Sequence, residues 1–188
     1  MNKIVLAAIP VFIASVIIFT AFENSRSQDT FKYVGVTTCV SVCHKGESKG
    51  NQLEIWQSSK HSNAMKTLQT PEADKIASDR GSTTAAAETP ECVKCHTLGK
   101  ELVESELEST FNKSDGVQCE TCHGPGSEYK KLTIMKDREK AIQNGLVIHN
   151  EGELFCVKCH NNESPTFKGF KYDEYWEKIK HPKPTVVK

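Results

Sequence analysis

The stretch Gly116–Gly126 reads GVQCETCHGPG and contains the pattern Cys-x-x-Cys-His. This pattern is the attachment signal for a c-type haem, in which two thiols bond the porphyrin and the following histidine ligates the iron. The same pattern occurs at Cys92–His96 and Cys156–His160, and a version with one additional residue runs over Cys39–His44. The sequence therefore predicts four haem c groups as cofactors.

The four sites together use all eight cysteines of the chain. Zinc clips and disulfide bridges are the alternative roles of paired cysteines, but neither requires a histidine directly after the second cysteine. That histidine is present at every site, although only 7 of the 188 residues are histidine. The predicted haem-binding cysteines are Cys39, Cys43, Cys92, Cys95, Cys119, Cys122, Cys156 and Cys159, and the predicted proximal ligands are His44, His96, His123 and His160. At the longer first site, a structural cysteine pair is the alternative.

The bulk composition limits the kind of core that the chain can build. Only 37% of the residues are hydrophobic, and many of these lie in the first 22 residues. The remainder is too polar for an ordinary side-chain core. We therefore expect a mainly α multihaem cytochrome c with extensive irregular structure, in which four covalently bound haems form the core. The formal net charge of zero argues against nucleic acid as a partner.

Residues 4–22 are almost wholly apolar and follow Lys3. A run of this length is typical of an export signal or a single membrane anchor. Because no convincing small-residue cleavage site follows, we favour an uncleaved anchor. We expect a signal or anchor segment over residues 1–24, a tetrahaem domain over residues 25–188, and a periplasmic or otherwise extracytoplasmic location.

Hydrophobic spacing predicts three longer helices outside the haem motifs. The first covers residues 53–68, and the second covers residues 128–143 with Ser127 as its N-cap. A third is expected near the C-terminus, with Asp173 as its cap. Residues 101–111 are ambiguous between strand and helix.

Charged residues are unevenly distributed along the chain. An acidic segment contains Glu101, Glu104, Glu106 and Glu108, and a basic tail contains Lys168, Lys171, Lys178, Lys180, Lys183 and Lys188. Solvated faces are the usual explanation of such runs. The alternative is that the basic tail docks a redox partner with an acidic surface.

The chain has too few histidines to give each of four haem irons two axial histidine ligands. Four haems with two histidines each would need eight imidazoles, and the chain has seven. Beyond the four proximal ligands, His61, His149 and His181 remain as predicted distal ligands. The eighth position is either filled by Met65 or Met135, or left open so that it can bind a small ligand.

The motifs resemble one particular family. The Cys…Cys-His site, the segment from Trp56 to His61, the GVQCETCHGPG stretch and the last Cys-x-x-Cys-His occur in the same order as in the tetrahaem c-type cytochromes of ammonia-oxidising bacteria. These proteins accept electrons from hydroxylamine oxidoreductase, and related haem arrangements occur in other multihaem cytochromes c. The resemblance covers about Tyr33 to His181, nearly the whole predicted haem domain.

The resemblance implies particular pairs of axial ligands. It implies that His61 ligates the iron of the His123 site, and that His181 ligates the iron of the His160 site. It also implies that the iron on His96 is five-coordinate.

The chain departs from the family at the first haem. There the family places a histidine shortly after Gly-Pro-Gly, whereas this chain has Ser127–Tyr129 at that place. His149 is the spare histidine that we assign to the His44 iron. If His149 serves elsewhere, the first haem is the open one instead.

The leading functional hypothesis is an electron carrier between a donor and an acceptor protein, with closely spaced haems as the path and no catalytic residues. Two imidazole ligands keep haem iron low-spin, which suits electron transfer. The enzymatic alternative is reduction of nitric oxide or nitrite at an open His96 haem. A third hypothesis is a cytochrome that polymerises, with its haems continuing across subunits; the oligomeric state is left open.

Overall fold

Short helices separated by irregular segments make up the protein, whose computed structural model describes residues 31–40, 44–149 and 152–182. The α-helices of those residues are α1 (Val36–Val40), α2 (Gln52–Ser58), α3 (Ala64–Thr67), α4 (Pro71–Asp79), α5 (Pro90–His96), α6 (Cys119–His123), α7 (Leu132–Met135), α8 (Arg138–Gln143), α9 (Glu153–Cys156) and α10 (Tyr172–Ile179). Single 3-10 turns cover Glu47–Lys49, His61–Asn63, Ala86–Glu88, Glu104–Glu106 and Lys113–Asp115. The expected mainly α chain with extensive irregular structure is confirmed.

The predicted helix over residues 53–68 is interrupted in its middle. Helix α2 ends at Ser58, Ser59 is extended, and the chain resumes as a 3-10 turn before α3. The Ser59 hydroxyl donates to the Trp56 carbonyl (2.7 Å), and the Ser62 hydroxyl donates to the Ser59 carbonyl (2.9 Å). Serine side chains that bond nearby backbone in this way compete with helix hydrogen bonds. Because of this interruption, His61 lies in the 3-10 turn and not in the continuous helix that the hydrophobic spacing predicted.

Helix α4 was missed by the sequence analysis. Thr70 precedes it with an extended backbone, and its hydroxyl accepts a hydrogen bond from the Ala73 amide (3.2 Å). Pro71 occupies the first helical position, where its missing amide proton costs nothing. The same device begins α5 at Pro90. Both prolines begin a helix here.

The predicted helix over residues 128–143 is also divided. The Asp137 carboxylate accepts from the Lys140 amide (3.1 Å) and begins α8 as a new helix. Ser127 is not the predicted cap, because its hydroxyl oxygen accepts instead from the Lys32 amide (3.0 Å). The apolar spacing continues through Asp137, but this capping residue begins a new helix there, so the predicted single helix is divided.

Two further predictions concern local structure. The C-terminal helix is present as α10, with Lys171 rather than Asp173 at its N-cap. Residues 101–111 are neither a helix nor a strand of any length. They form the turn Glu104–Glu106 and an isolated parallel bridge between Tyr33 and Leu107.

One small apolar core joins α3, α4, α5 and the turn at Ala86–Glu88. Its buried members are Met65, Leu68, Ala77, Ala86 and Val93, with Cys92 and Leu102 among the half-buried residues against it. Met65 is 1% exposed and packs at its centre. This cluster packs α5, which carries the His96 motif, against α3 and α4.

A buried carboxylate lies at the third haem motif. Glu120, in α6, is 2% exposed. Its two oxygens accept from the amides of Val34 (2.9 and 3.0 Å), Gly35 (2.7 Å) and Gly126 (2.7 Å). Beside it, the Tyr129 hydroxyl donates to the Gly124 carbonyl (3.0 Å). Glu120 thereby ties the entry to α1 and the Gly-Pro-Gly turn to α6.

The predicted signal or anchor at residues 4–22 lies outside the described residues. Within the described ranges, no helix combines the length and the apolar character needed to cross a membrane.

Candidate haem sites

Three of the motifs, the second, third and fourth, lie in or directly after a short helix. Residues three apart face the same way on a helix, so a Cys-x-x-Cys turn presents both thiols together with the next histidine close by. The third motif is α6 itself, and the second motif ends α5. The fourth begins at the end of α9, where the His160 amide bonds the Cys156 carbonyl (3.0 Å). At the first site Cys39 lies in α1, and Cys43 lies outside the described residues.

The disulfide and zinc alternatives find no support in the described part of the chain. Each of its seven cysteines is a free thiol. Nor do any three histidine, cysteine or carboxylate side chains of those residues converge on a point where they could hold a bare metal ion.

The thiols bring the four motifs into a definite order of neighbours. The side chain of Cys39 lies beside that of Cys119, and the side chain of Cys95 lies beside that of Cys159. Cys122 and Cys156 interact electrostatically. The first motif therefore adjoins the third, the third adjoins the fourth, and the fourth adjoins the second. This order differs from the order of the motifs along the chain.

Two histidine pairs have the spacing that a shared iron requires. The ring centres of His61 and His160 are 6.1 Å apart, and those of His123 and His181 are 5.8 Å apart. Two metal–imidazole bonds of about 2.0 Å, plus the distance from each nitrogen to its ring centre, give a separation of about 6 Å. Both pairs therefore fit the two axial ligands of a haem iron.

These pairs are exchanged relative to what the family resemblance implied. His61 was expected opposite His123, and the structure places it opposite His160. His181, expected opposite His160, lies at His123. The position of His181 follows from the next residue, Pro182, whose carbonyl accepts a hydrogen bond from the Gln52 side chain (3.1 Å). That bond holds the C-terminal segment beside the first haem motif.

His149 lies beside the third site. Its Nε2 atom contacts the Cys122 carbonyl, and its ring centre is 3.9 Å from that of Phe155. It also interacts electrostatically with His123. The structure records no ring contact between His149 and His44, so their predicted pairing at the first iron stays a prediction.

His96 is held from behind by backbone. Its Nδ1 atom lies 2.7 Å from the Ala64 carbonyl, to which it donates, and 3.3 Å from the Thr67 hydroxyl. A proton fixed on Nδ1 leaves Nε2 as the ligating atom. None of the other six histidines makes a ring contact with His96, which is compatible with the predicted five-coordinate iron.

Met65 is a poor candidate for that iron's second ligand. It follows Ala64, so it belongs to the segment behind the His96 ring, on the side away from Nε2. Its side chain is packed in the apolar core with Leu68 and Val93. The burial indicates a packing role, and the half-buried Met135 in α7 remains the other methionine of the prediction.

Burial favours the ligating form of the imidazoles. It lowers the pKa of His44, His61 and His160, and together with the neighbouring His181 it lowers the pKa of His123 to about 4. Removing a charged imidazolium from water is costly, so these rings stay neutral, and neutral nitrogen is the donor that iron needs. The chemistry of the donor set thus fits haem c at these sites.

Three positions that shape the sites were not assigned a role from the sequence. They are the Glu120 carboxylate, the Ala64 carbonyl and the pair Gly116–Val117, which contacts the backbone of His61. The sequence gives only a weak indication of the role of Glu120: it is a charged residue inside a haem motif, where the surrounding residues become buried. The other two act through backbone atoms, which side-chain patterns do not report.

Comparison with known proteins gives one family and one relative. Residues 38–124 match the profile of the family described as "Cytochrome c554 and c-prime". Over 173 residues the chain is 29% identical to cytochrome c-554 of Nitrosomonas europaea, an alignment that covers 82% of this chain and 68% of the relative. No solved structure matches significantly. Together the motifs and the two matches confirm the predicted resemblance to the cytochrome c554 family, and they support a c-type cytochrome that carries electrons and binds haem c covalently.

Proposed function

We propose that this protein is an extracytoplasmic tetrahaem cytochrome that passes electrons between a donor and an acceptor protein. The observation that carries the proposal is the order in which the motif cysteines neighbour one another: Cys39 lies beside Cys119, Cys122 lies near Cys156, and Cys159 lies beside Cys95. Haem c, once attached, supplies a one-electron iron couple at each site. Contacts between the attachment residues keep neighbouring couples close together.

The roles of the ligands follow from the same geometry. His61 with His160, and His123 with His181, would hold two irons between neutral imidazoles. Such ligation keeps the coordination sphere unchanged on reduction, which limits the structural rearrangement that accompanies electron transfer.

The order of sites along the electron path would be His44, His123, His160 and His96. The two ends of this path, at the first and second motifs, are then the natural points for donor and acceptor. Redox proteins are the proposed partners, and the oligomeric state is left to experiment.

Charge on the described part of the tail is largely compensated. Glu174 pairs with both Lys171 (3.9 Å) and Lys178 (2.9 Å), and Glu177 pairs with Lys180 (2.6 Å). In the acidic segment, Glu106 pairs with Lys100 and Glu108 pairs with Lys130. Exposed pairs of this kind contribute little to stability. They favour a solvated face over a strongly basic docking surface.

The proposal is tested by haem stoichiometry and by electron paramagnetic resonance. Mass spectrometry of the purified protein should show four covalently bound haems per chain, and the oxidised spectrum should show low-spin signals for the His61–His160 and His123–His181 irons. Fewer than four haems, or high-spin signals at both of these irons, would contradict it. Amino-terminal sequencing of the membrane and soluble fractions decides whether residues 1–24 remain as an anchor.

A second candidate function is reduction of a small nitrogen oxide at the His96 iron. The observation that favours it is that His96 bonds only backbone and a hydroxyl behind its ring, with no second imidazole in ring contact. The test is to add nitric oxide to the oxidised and the reduced protein. A high-spin signal that nitric oxide abolishes, followed by catalytic turnover with a reductant, supports the reductase. Binding without turnover leaves only the electron carrier.

A further inference from the structure

The loop before the third haem motif contacts the segment that carries His61. The Val117 amide donates to the His61 carbonyl (3.0 Å), and the Trp56 indole donates to the Val117 carbonyl (2.8 Å). Gly116 fits against the same turn: a Cβ atom there would lie 2.5 Å from the His61 carbonyl oxygen and 3.1 Å from the Ala64 amide nitrogen. The contact therefore leaves no room for a side chain at position 116.

The contacted segment serves two haem sites at once. At its start, the His61 ring lies opposite His160. Three residues later, the Ala64 carbonyl accepts the proton of His96 Nδ1. Val117 itself is two residues before Cys119, so the junction touches the third, fourth and second motifs.

We propose that Gly116 and Val117 are positioning residues that set the axial ligand His61 for the iron of the His160 site. This inference rests on the proposed function, because it takes His61 and His160 as the two ligands of one iron. The hydrogen bond from the Val117 amide fixes the position of the His61 backbone. This close approach is possible because Gly116 has no side chain. His61 sits in a 3-10 turn of three residues, which has no long helix to hold it otherwise.

The tolerance of the site is small compared with the displacement that a methyl group would impose. Real Cβ atoms essentially never approach another atom closer than 3.0 Å, so an alanine at Gly116 must displace the His61 carbonyl or its own loop. The shift is at least about 0.5 Å, whereas a metal–ligand distance tolerates about 0.2 Å. The imidazole of His61 is then expected to leave the iron.

The experiment compares Gly116→Ala with Gly81→Ala in the full holoprotein. Both glycines have positive φ, +73° and +88°, so alanine is strained at either place, but a Cβ at Gly81 would meet nothing within 4 Å. The readout is carbon monoxide bound per chain by the reduced protein, with haem content measured in parallel. We expect Gly81→Ala to match the wild type and Gly116→Ala to bind carbon monoxide at one additional haem. Equal binding by the two variants overturns the inference.

A milder variant covers the case in which Gly116→Ala does not assemble. Trp56→Phe keeps the aromatic ring but removes the hydrogen bond to Val117. Loss of one such bond should raise the carbon monoxide affinity of the His160 haem about fivefold. Unchanged affinity in this variant also overturns the inference.

His61→Ala separates the inference from the function on which it rests. If His61→Ala opens a haem to carbon monoxide but neither Trp56→Phe nor Gly116→Ala does, the ligand assignment stands and the positioning role is wrong. If His61→Ala leaves binding unchanged, the assignment of His61 to an iron is wrong, and the inference falls with it.

Discussion

Glu120→Gln tests whether the buried carboxylate holds the entry to α1 and the Gly-Pro-Gly turn against the third haem motif. One carboxylate oxygen accepts from Val34 and Gly35, and the other accepts from Val34 and Gly126. Glutamine keeps one oxygen, so whichever way the amide turns, either Gly35 or Gly126 loses its acceptor. The new NH2 group faces donors rather than acceptors.

The magnitude follows from these lost partners. Each buried donor without an acceptor costs about 1–3 kcal/mol, and the substitution creates about two. Relief of burying a charge offsets part of this, since burial raises the pKa of the Glu120 carboxyl while the amides of Val34, Gly35 and Gly126 lower it. We expect a net loss of about 2–4 kcal/mol, a large fraction of the 5–15 kcal/mol that is typical of a folded domain.

The assay is urea unfolding of the holoprotein, followed by far-ultraviolet circular dichroism. Glu128→Gln is the matched control, because it removes the same charge from a side chain that is 41% exposed and paired only with Lys131. The control should lie within about 0.5 kcal/mol of the wild type. If both variants unfold at the same urea concentration, Glu120 does not carry the role that its hydrogen bonds indicate.

Three further predictions concern acid, packing and charge. The pKa of His123 is lowered from 6.5 to about 4 in the folded protein. The neutral ring therefore contributes fully to stability at pH values above 6.5, the pKa of the unfolded chain, and this contribution is lost as the pH falls towards 4, the pKa of the folded protein. Because a bond to iron would favour the neutral ring further, the low-spin visible spectrum should persist down to about pH 4; conversion centred near pH 6.5 would contradict the burial argument. Met65→Ala should cost about 2–5 kcal/mol in urea unfolding with an unchanged haem spectrum, whereas loss of a low-spin signal would assign Met65 to an iron. Glu174→Gln leaves Lys171 and Lys178 uncompensated, so stopped-flow oxidation by anionic ferricyanide should be about two- to threefold faster at low salt, and an unchanged rate would exclude electron exit at α10.

The haem motifs were the predictable part of this protein. Covalent attachment needs two thiols and a histidine within one turn of chain, so the requirement is written in consecutive residues such as Cys119–His123. The low apolar content likewise predicted extensive irregular structure between helices, which the structure has. Local chemistry of this kind can be read directly from the sequence.

Helix boundaries and the pairing of axial ligands were harder to predict from the sequence. The apolar spacing over residues 53–68 and 128–143 suggested continuous helices, but hydroxyls at Ser59 and Ser62 and the carboxylate of Asp137 bond the backbone and divide them. The partner of His61 depends on contacts between distant backbone atoms, for which spacing carries no information. Family likeness implied pairs of histidines that differ from the pairs that the structure brings together.

Long sequence separations in the Glu120 and Trp56 contacts have a consequence for biogenesis. Glu120 bonds Val34 across 86 residues, and Trp56 bonds Val117 across 61. Proteins dominated by such distant contacts fold slowly, because the entropy cost of closing a long loop comes before the contact that stabilises it. A chain that emerges from its amino end during synthesis exposes its first cysteines long before their neighbours arrive. The attachment machinery therefore meets an extended substrate, and a product truncated before His160 would leave His61 without a counterpart.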